Sequence, residues 1–246
     1  MKFAEYLIEN DKQYKNAINI EEALKLIKKH CSIMDISKPY WRGTKDGGDA
    51  YIIDGSKGYR KSYDTGNYYT LLIDHFTKPG NPLRSKSIVC INNPGKTYAK
   101  RYADMHMGNC YAVFPYDNAK IGFVGAQDMW DVNANIGKLT YSLNKLNKIY
   151  KACNLNDDSY GEFVKGIKTI LQKDKVDINE NMIHRIFESD VNNVEPYLKH
   201  AYNDSLNFKY GTTKTIDNNT ESEIWISGNC VLIRYDIWKD IQQTLK

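Results

Sequence analysis

Apolar residues recur at intervals of three and four along residues 135–203, and this change of period constrains the fold more than any other feature of the sequence. Ile136, Leu139 and Leu146 belong to the series, which has the spacing of one face of an α-helix. Before and after this stretch, short β-branched runs between turn residues predict strands. We therefore expect an α+β fold, with a single domain over 1–246 and a helical insertion at about 135–203.

Helices are also expected at both ends of the chain. Asn19 stands before the apolar repeat of "IEEALKLIKKH" with Glu22 three residues further on, a capping pattern that predicts a helix over about 20–31. N-terminal helices are expected to occupy residues 1–35, and a last helix is expected to begin at about 236. These helices would flank the strand-rich part of the chain.

Strands and two further helices are predicted between these ends. In order they are a strand in "PYWRGT" that ends at Arg42, a helix in "TGNYYTLLIDHF" capped by Asp64 or Thr65, a strand at about 86–92, a helix opened by Pro94, two strands around "PYDN", and the strands "SEIWISG" and "NCVLIRY" joined by a turn at Gly228. The stretch "GDAYIIDGSKG" contains glycines but lacks the Gly-Lys-Ser/Thr order of a phosphate loop, which argues against a Walker-type nucleotide triphosphatase.

The composition indicates a folded, mildly basic protein. The 246 residues carry a formal charge of +4 with a pI near 8.6, which suits anionic ligands but is well below the charge of a DNA-coating protein. Five cysteines show no paired spacing and five histidines no ligand spacing, so we expect free, buried thiols and no metal. No signal-peptide core and no run of ~20 apolar residues is present. These absences predict a cytoplasmic protein that does not enter a membrane.

Glu221 and Glu223 stand one residue apart in "TESEIWISG", directly before an apolar run. Alternate residues of a strand share a face, so we expect Glu221, Glu223 and Trp225 on one side and the intervening residues in the core. Two neighbouring carboxylates can divide the tasks of stabilising a cation and accepting a proton. The alternative is a solvated edge strand, on which acidic residues prevent unwanted pairing.

Three motifs follow one another along the chain. They are "PYWRG" with Arg42, "RSKSIVC" with Ser85 and Ser87 before the helical "TYAKRYA", and "ESEIWISGNCVLI" with Glu221 and Glu223. In this order they resemble the motifs of the arginine-serine-glutamate mono-ADP-ribosyltransferases, a family that includes bacterial toxins and bacteriophage enzymes. The resemblance covers roughly 39–131 and 205–236.

Two features of the sequence depart from the family pattern. Lys86 stands between the two serines, where the family prefers a small or hydroxyl residue. The stretch "YRKS" offers Arg60 and Ser62 as a competing pair. The motif serine is therefore either Ser85 or Ser62.

The resemblance implies an ADP-ribosyltransferase-like split β-sandwich that holds NAD in a cleft between two small sheets. The residues implied to bind NAD are Arg42, Gly43, Ser85, Ser87 and Tyr102. Glu223 is implied to be the catalytic carboxylate, bonded to the ribose 2′-hydroxyl where positive charge develops. Ser85 is implied to orient this carboxylate, and Glu221 to accept the proton of the nucleophile.

The acceptor of ADP-ribose is expected to be a macromolecule. In the family a glutamate at the position of Glu221 goes with guanidinium acceptors, so protein arginine is the first expectation. An RNA or DNA base is the second, because basic charge and abundant tyrosines suit contacts to a single strand. Tyr210 and the Asn- and Thr-rich segment 212–220 are expected to recognise the acceptor.

The resemblance further implies a toxin, a phage-defence effector or a phage weapon that acts in the host cytoplasm, and a toxin would have an antitoxin protein as partner. Two alternatives remain open. The chain is an NAD glycohydrolase if water is the acceptor, and it is a non-catalytic module for nucleic acid or a protein partner if the fold is kept without the chemistry.

Overall fold

The computed structural model describes residues 15–45, 47–60, 66–124, 139–203, 209–212 and 221–244. The chain divides into two compact units. The sheet unit consists of Met1–Arg60, Lys78–Met129 and Phe208–Lys246, and the helical unit consists of Lys61–Thr77 and Trp130–Asn207. The predicted helical stretch 135–203 therefore falls in a unit that also includes an earlier segment of the chain.

The described strands of the sheet unit form one antiparallel sheet. They are β1 (Lys15–Ile18), β2 (Tyr40–Thr44), β3 (Ala50–Asp54), β4 (Ile88–Ile91), β5 (Asn109–Pro115), β6 (Lys120–Val124), β7 (Lys209–Gly211), β8 (Glu223–Ser227) and β9 (Asn229–Arg234). Their order across the sheet is β1-β3-β9-β5-β2-β4-β8-β6-β7. Together with the helices this sheet confirms the predicted α+β class.

The described helices belong to both units. They are α1 (Ile20–His30), α2 (Tyr68–Phe76), α3 (Lys96–Met105), α4 (Leu139–Ala152), α5 (Tyr160–Leu171), α6 (Glu180–Ile186), α7 (Val194–Asn203) and α8 (Tyr235–Thr244). Helices α1, α3 and α8 lie in the sheet unit, and α2 and α4 to α7 lie in the helical unit. No helix in the described ranges is long and apolar enough to cross a membrane.

The sheet is split between β2 and β4, because these two strands share a single register pair, Trp41 with Ile91. The pairings on either side are longer, with five residue pairs between β2 and β5 and four between β4 and β8. The sheet thus consists of two halves, β1-β3-β9-β5-β2 and β4-β8-β6-β7.

Two short connections carry the chain from one half to the other. Strand β5 ends at Pro115 and β6 begins at Lys120, yet β5 pairs with β2 and β9 whereas β6 pairs with β7 and β8. Strands β8 and β9 are separated by Gly228, whose φ of +130° favours glycine, and they also pair in different halves. The predicted turns are present, but the strands they join do not form hairpins.

The N-terminal region contains a strand where only helices were predicted over 1–35. Helix α1 is confirmed, and Asn19 caps it by accepting a hydrogen bond from the backbone N–H of Glu22 at 2.8 Å. Residues 15–18, however, form β1, which pairs with the equally unpredicted β3. The sequence "KNAI" is too short and polar to show an alternating pattern, so its conformation depends on the pairing with β3.

The helical unit is held together around the ring of Tyr68 on α2. This ring lies 5.2 Å from that of Phe163 on α5 and 5.1 Å from that of Tyr150 on α4, measured between centroids. Both ring contacts join segments that are distant in the sequence. The helical unit therefore has a core of its own.

A distant carboxylate caps the start of α2. Asp157 accepts hydrogen bonds from the backbone N–H groups of Asn67 and Tyr68. The predicted caps, Asp64 and Thr65, lie outside the described residues. The observed cap comes from a residue about 90 positions away, which a local capping pattern cannot reveal.

Candidate active site

The three motif segments lie on neighbouring strands of the sheet unit. Arg42 is on β2, Ser85 and Ser87 directly precede β4, and Glu223 begins β8. Strand β4 pairs with β2 on one side and with β8 on the other. The fold therefore brings together residues that are separated by more than a hundred positions in the sequence.

Arg42 lies in the middle of β2, and the prediction that it ends a strand was wrong. The strand continues through Gly43 and Thr44 because both residues pair with β5. The Arg42 side chain is 2% exposed, and its Nη1 donates to the carbonyl of Val89 on β4 at 2.8 Å. The guanidinium thus bridges the split between the half-sheets, where the backbone ladder has only one register pair.

Glu223 is held by two donors that meet at the same carboxylate oxygen. The indole Nε1 of Trp225 donates to Oε1 at 2.6 Å. Nε and Nη2 of Arg84 each lie 3.4 Å from this oxygen. Arg84 is 2% exposed and Glu223 is 5% exposed, so this is a buried ion pair with a fixed orientation.

The predicted shared face of the E-x-E strand is found only in part. Glu223 and Trp225 lie on one face of β8, whereas Glu221 precedes the strand and is half-buried. Strand β8 pairs with β4 and β6. It is therefore an interior strand, and its acidic residues do not protect a sheet edge.

Asn92 anchors the residue between the two glutamates. Its side-chain Oδ1 accepts a hydrogen bond from the backbone N–H of Ser222 at 3.0 Å, and the backbone N–H of Asn92 donates to the Ser222 carbonyl at 3.1 Å. Asn92 is fully buried at the end of β4. Glu221 and Glu223 thus flank a residue that is fixed to the central strand.

The two candidate serines have different surroundings. Ser87 Oγ donates to the carbonyl of Leu83 at 2.6 Å, which closes the turn before β4. Ser85 is 4% exposed and directly follows Arg84, and its carbonyl accepts from the N–H of Arg60 at 2.9 Å. The competing motif therefore lies beside the first one, and its Ser62 is outside the described residues.

Gly43 and Tyr102 lie on the other face of β2 from Arg42. A Cβ on Gly43 would be 2.7 Å from the carbonyl oxygen of Ala99 and 2.9 Å from Cδ1 of Tyr102, both on α3. Because side chains alternate along a strand, Arg42 points away from this helix. Gly43 thus permits close packing of α3, and the structure does not bring Tyr102 to the side of Arg42.

Tyr210 lies on β7 in the same cross-strand row as Trp225. Gly122 pairs with Tyr210 on one side and with Trp225 on the other. A Cβ on Gly122 would be within 3.4 Å of both rings, so the two aromatic side chains flank it. Of the segment 212–220, predicted to recognise the acceptor, residues 213–220 lie outside the described residues.

Sequence reasoning missed two residues of this cluster, Arg84 and Asn92. Arg84 is the first residue of the quoted "RSKSIVC", and Asn92 follows that motif by two positions. Two signals in the sequence could have indicated these residues. One is a charged residue before the motif serine, and the other is an amide residue directly after an apolar strand. Their partners, Glu223 and Ser222, are more than 120 residues away, which is why the pairing could not be read from the sequence.

The buried charges of the described residues are three arginines and one glutamate, namely Arg42, Arg60, Arg84 and Glu223. Arg42 contacts the backbone of β4, and the other two arginines belong to or adjoin the turn that precedes it. Guanidinium groups that gather beside one strand are suited to bind an anionic ligand.

Neither thiols nor metal ligands form a second candidate centre in the described part of the chain. The five cysteines are free, as predicted. Burial, followed by the charge of Asp117, raises the pKa of Cys31 to about 12, and burial raises the pKa of Cys230 well above its ordinary value. These thiols are poor nucleophiles. No group of three or more His, Cys, Asp or Glu side chains among the described residues could hold a metal ion.

Comparisons of the chain with protein-family models, with curated proteins and with solved structures found no match.

Proposed function

We propose that the chain is an NAD-dependent mono-ADP-ribosyltransferase whose reaction takes place beside Glu223. The observation that carries the proposal is the adjacency of three strands. Strand β2 bears Arg42, β4 follows the turn that contains Ser85, and β8 begins with Glu223. Trp41, Ile91 and Glu223 form one cross-strand row, and Arg42 directly follows Trp41. The split of the sheet between β2 and β4 agrees with the two-sheet cleft of an ADP-ribosyltransferase-like fold.

The residues of the cluster fit the chemical groups of NAD. A pyrophosphate carries two negative charges, and a guanidinium group such as that of the buried Arg42 is suited to bind it. The ribose 2′-hydroxyl is a donor suited to the Glu223 carboxylate. Arg84 and Trp225 hold that carboxylate in one orientation, so no reorganisation is needed when charge develops.

The proposed reaction replaces nicotinamide by an acceptor at C1′ of the ribose. The bond from C1′ to the nicotinamide nitrogen breaks, and its electron pair leaves with nicotinamide. Glu223 stabilises the oxocarbenium-like positive charge on the ribose. The nucleophilic atom of the acceptor bonds to C1′, and its proton passes to Glu221, which is half-buried and close in sequence to the fixed carboxylate.

The proposed acceptor is a protein arginine, and an RNA or DNA base is the second choice. A carboxylate before β8 is suited to orient a guanidinium and to accept its proton. Tyr210, half-buried beside Gly122, is an aromatic contact for either class. A toxin that uses this activity would arrest growth when expressed, and a protein antitoxin would be its partner.

The experiment uses NAD labelled on the adenylate phosphate, with cell lysate as the source of acceptors. Wild-type protein is expected to release nicotinamide and to label a macromolecule that protease, rather than nuclease, digests. Glu223→Gln keeps the shape of the side chain and should reduce nicotinamide release about 10²–10³-fold, the usual effect of removing one preorganised electrostatic group. Glu21→Gln, on the exposed face of α1, is the matched control.

The same assay separates the alternatives. Glu221→Gln should abolish labelling of an arginine acceptor while nicotinamide release to water continues. Release without any labelled macromolecule would identify a glycohydrolase, and label digested by nuclease would identify a nucleic-acid acceptor. A wild-type protein that neither releases nicotinamide nor transfers label would refute the proposal, and RNA binding by that inert protein would identify a binding module.

A further inference from the structure

A groove of about 670 Å³ lies in the sheet unit, between the loop before β2 and the last helix. Its described lining consists of Ile36, Ser37, Lys38, Asn93, Trp238, Lys239, Gln242 and Gln243. The volume is within the ~300–1,000 Å³ of pockets that hold small molecules. None of the residues assigned above to catalysis or to NAD lines it.

The charged groups that line the groove are all positive. Lys38 and Lys239 are exposed lysines, and no aspartate or glutamate is among the described lining residues. Asp35, which is largely exposed, has its Oδ2 3.9 Å from Lys38 Nζ. The groove is therefore complementary in charge to an anion.

The ring of Trp238 forms part of the wall of the groove. Trp238 is 1% exposed, and its indole Nε1 has no hydrogen-bond partner among the described residues and is itself closed to solvent. The ring is fixed, because it packs against Phe114 with 4.7 Å between centroids. It therefore gives the groove a rigid apolar surface, and its N–H reports on changes at that surface.

The amide side chains of the lining add a further donor. Asn93 Oδ1 accepts from Trp41 Nε1 at 3.3 Å, so its NH₂ group is the part of the side chain that remains for a ligand. Gln242 Nε2 donates to the Ser37 carbonyl at 3.2 Å and ties α8 to the loop before β2. The walls of the groove are thereby held together before a ligand enters.

We propose that this groove binds a small molecule that carries a phosphate or carboxylate group. The two lysines compensate the charge of that group, and the NH₂ group of Asn93 donates to one of its oxygen atoms. Ile36, which is 40% exposed, covers an apolar part of the ligand. This site is independent of the proposed transferase activity.

The proposal is tested by NMR titration of ¹⁵N-labelled Glu223→Gln protein, in which the proposed chemistry is suppressed. Inorganic phosphate, adenosine monophosphate and succinate are added separately at constant ionic strength. The indole N–H cross-peak of Trp238, identified by its loss in Trp238→Phe, is expected to shift saturably with at least one of them. The cross-peak of Trp225 is expected to stay in place. Comparing the shifts caused by phosphate and by succinate shows whether the groove binds a phosphate or a carboxylate group.

Two lysine variants complete the test. Lys38→Gln/Lys239→Gln should weaken the apparent Kd roughly tenfold or more, because the variant removes both charges that compensate the anion. Lys29→Gln, an exposed lysine on α1, should leave the Kd unchanged. Equal weakening by both variants, or a Trp238 shift that never saturates, would overturn the proposal. Because the exposed lysines do not contribute to the core, this result stands even if Trp238→Phe fails to fold.

Discussion

The sheet unit and the helical unit differ in where they keep their charges. All the charged side chains that are buried among the described residues, Arg42, Arg60, Arg84 and Glu223, belong to the sheet unit. The buried polar residues described in the helical unit are the uncharged Asn67, Thr70 and Thr77. Replacing a buried ion pair by apolar residues is often neutral or stabilising. The buried charges of the sheet unit are therefore better explained by function than by stability.

The ionic and polar contacts of the helical unit join its helices or cap them. Tyr160 donates to Glu195 at 2.7 Å, which joins α5 to α7, and Asp157 caps α2. Each contact joins two helices or ends one. Helices packed through an apolar core need such contacts only at their ends and margins. The comparison predicts that the two units respond differently to the loss of a charged or polar group.

The largest loss of stability is expected from Arg84→Met in the sheet unit. This change leaves Glu223 buried without the guanidinium, and breaking a buried pair from one side costs about 3–5 kcal/mol. Urea unfolding of the variant measures the loss. Met is the replacement because its length and apolar character keep most of the packing.

A double variant shows whether charge or packing is responsible. Arg84→Met/Glu223→Gln removes both charges, so its free energy of unfolding should lie closer to that of the wild type than to that of Arg84→Met. A double variant that is no more stable than Arg84→Met would show that packing of Arg84, and not its charge, stabilises the unit.

Local patterns in the sequence predicted most of the helices and several strands. The repeat of apolar residues gave the helical stretch, and Asn19 with Glu22 gave the start of α1. Strand β1 was missed because four polar-rich residues carry no period. The two-residue extension of β2 past Arg42 was missed because the following glycine and threonine resemble a turn, whereas pairing with β5 keeps them extended.

The candidate site was predictable in its motifs but not in its contacts. Arg42, Ser85 and Glu223 could be selected from the sequence because each stands in a recognisable local pattern. The ion pair of Arg84 with Glu223 spans 139 residues, and the strand order that creates it depends on the packing of the whole sheet. For the same reason Glu221 was wrongly expected within the strand: Asn92, far away in the sequence, fixes Ser222 before β8 begins.

A second loss, of about 1–3 kcal/mol, is expected from Gly43→Ala on β2. The new Cβ would meet the backbone carbonyl of Ala99 at 2.7 Å, and overpacking against a backbone is relieved only by moving the helix. Thermal unfolding measures the effect. Gly161→Ala in the helical unit is the matched control, because its Cβ would meet no atom closer than 4.0 Å. Equal destabilisation by both would show that the close approach of α3 is not the cause.

In the helical unit, Tyr160→Phe is expected to reduce stability by about 0.5–1.5 kcal/mol, the usual net contribution of one hydrogen bond. The hydroxyl donates to Glu195, and burial, followed by this hydrogen bond, raises the pKa of Tyr160. The ring keeps its stacking on His75. Urea unfolding and nicotinamide release are measured together. A fall in nicotinamide release as large as that of Glu223→Gln would break the distinction between the units.

The smallest effect is expected from Asp117, a half-buried carboxylate of the sheet unit. It accepts hydrogen bonds from Ser32 N–H at 3.1 Å, Ser32 Oγ at 2.7 Å and Ile33 N–H at 2.9 Å. Burial is the largest single effect and raises its pKa, but these hydrogen bonds and the charge of His30 together outweigh burial, and the pKa lies below its ordinary value near 3.8. Because the pKa is lowered in the folded state, the ionised carboxylate stabilises the fold at pH values above the ordinary pKa. This contribution disappears as the pH falls through the lowered pKa.

Asp117→Asn should therefore differ from the wild type in free energy of unfolding by less than about 1 kcal/mol near pH 6, because solvent screens a partly exposed group. The difference should shrink towards zero as the pH falls below the ordinary pKa of Asp117. Ser32→Ala removes one of the donors and should reproduce part of the loss. A difference that stays constant from pH 6 to pH 2 would mean that the shape of the turn, and not the charge of Asp117, provides the stability. In that case this partly exposed charge of the sheet unit, unlike its buried pair, would contribute nothing measurable.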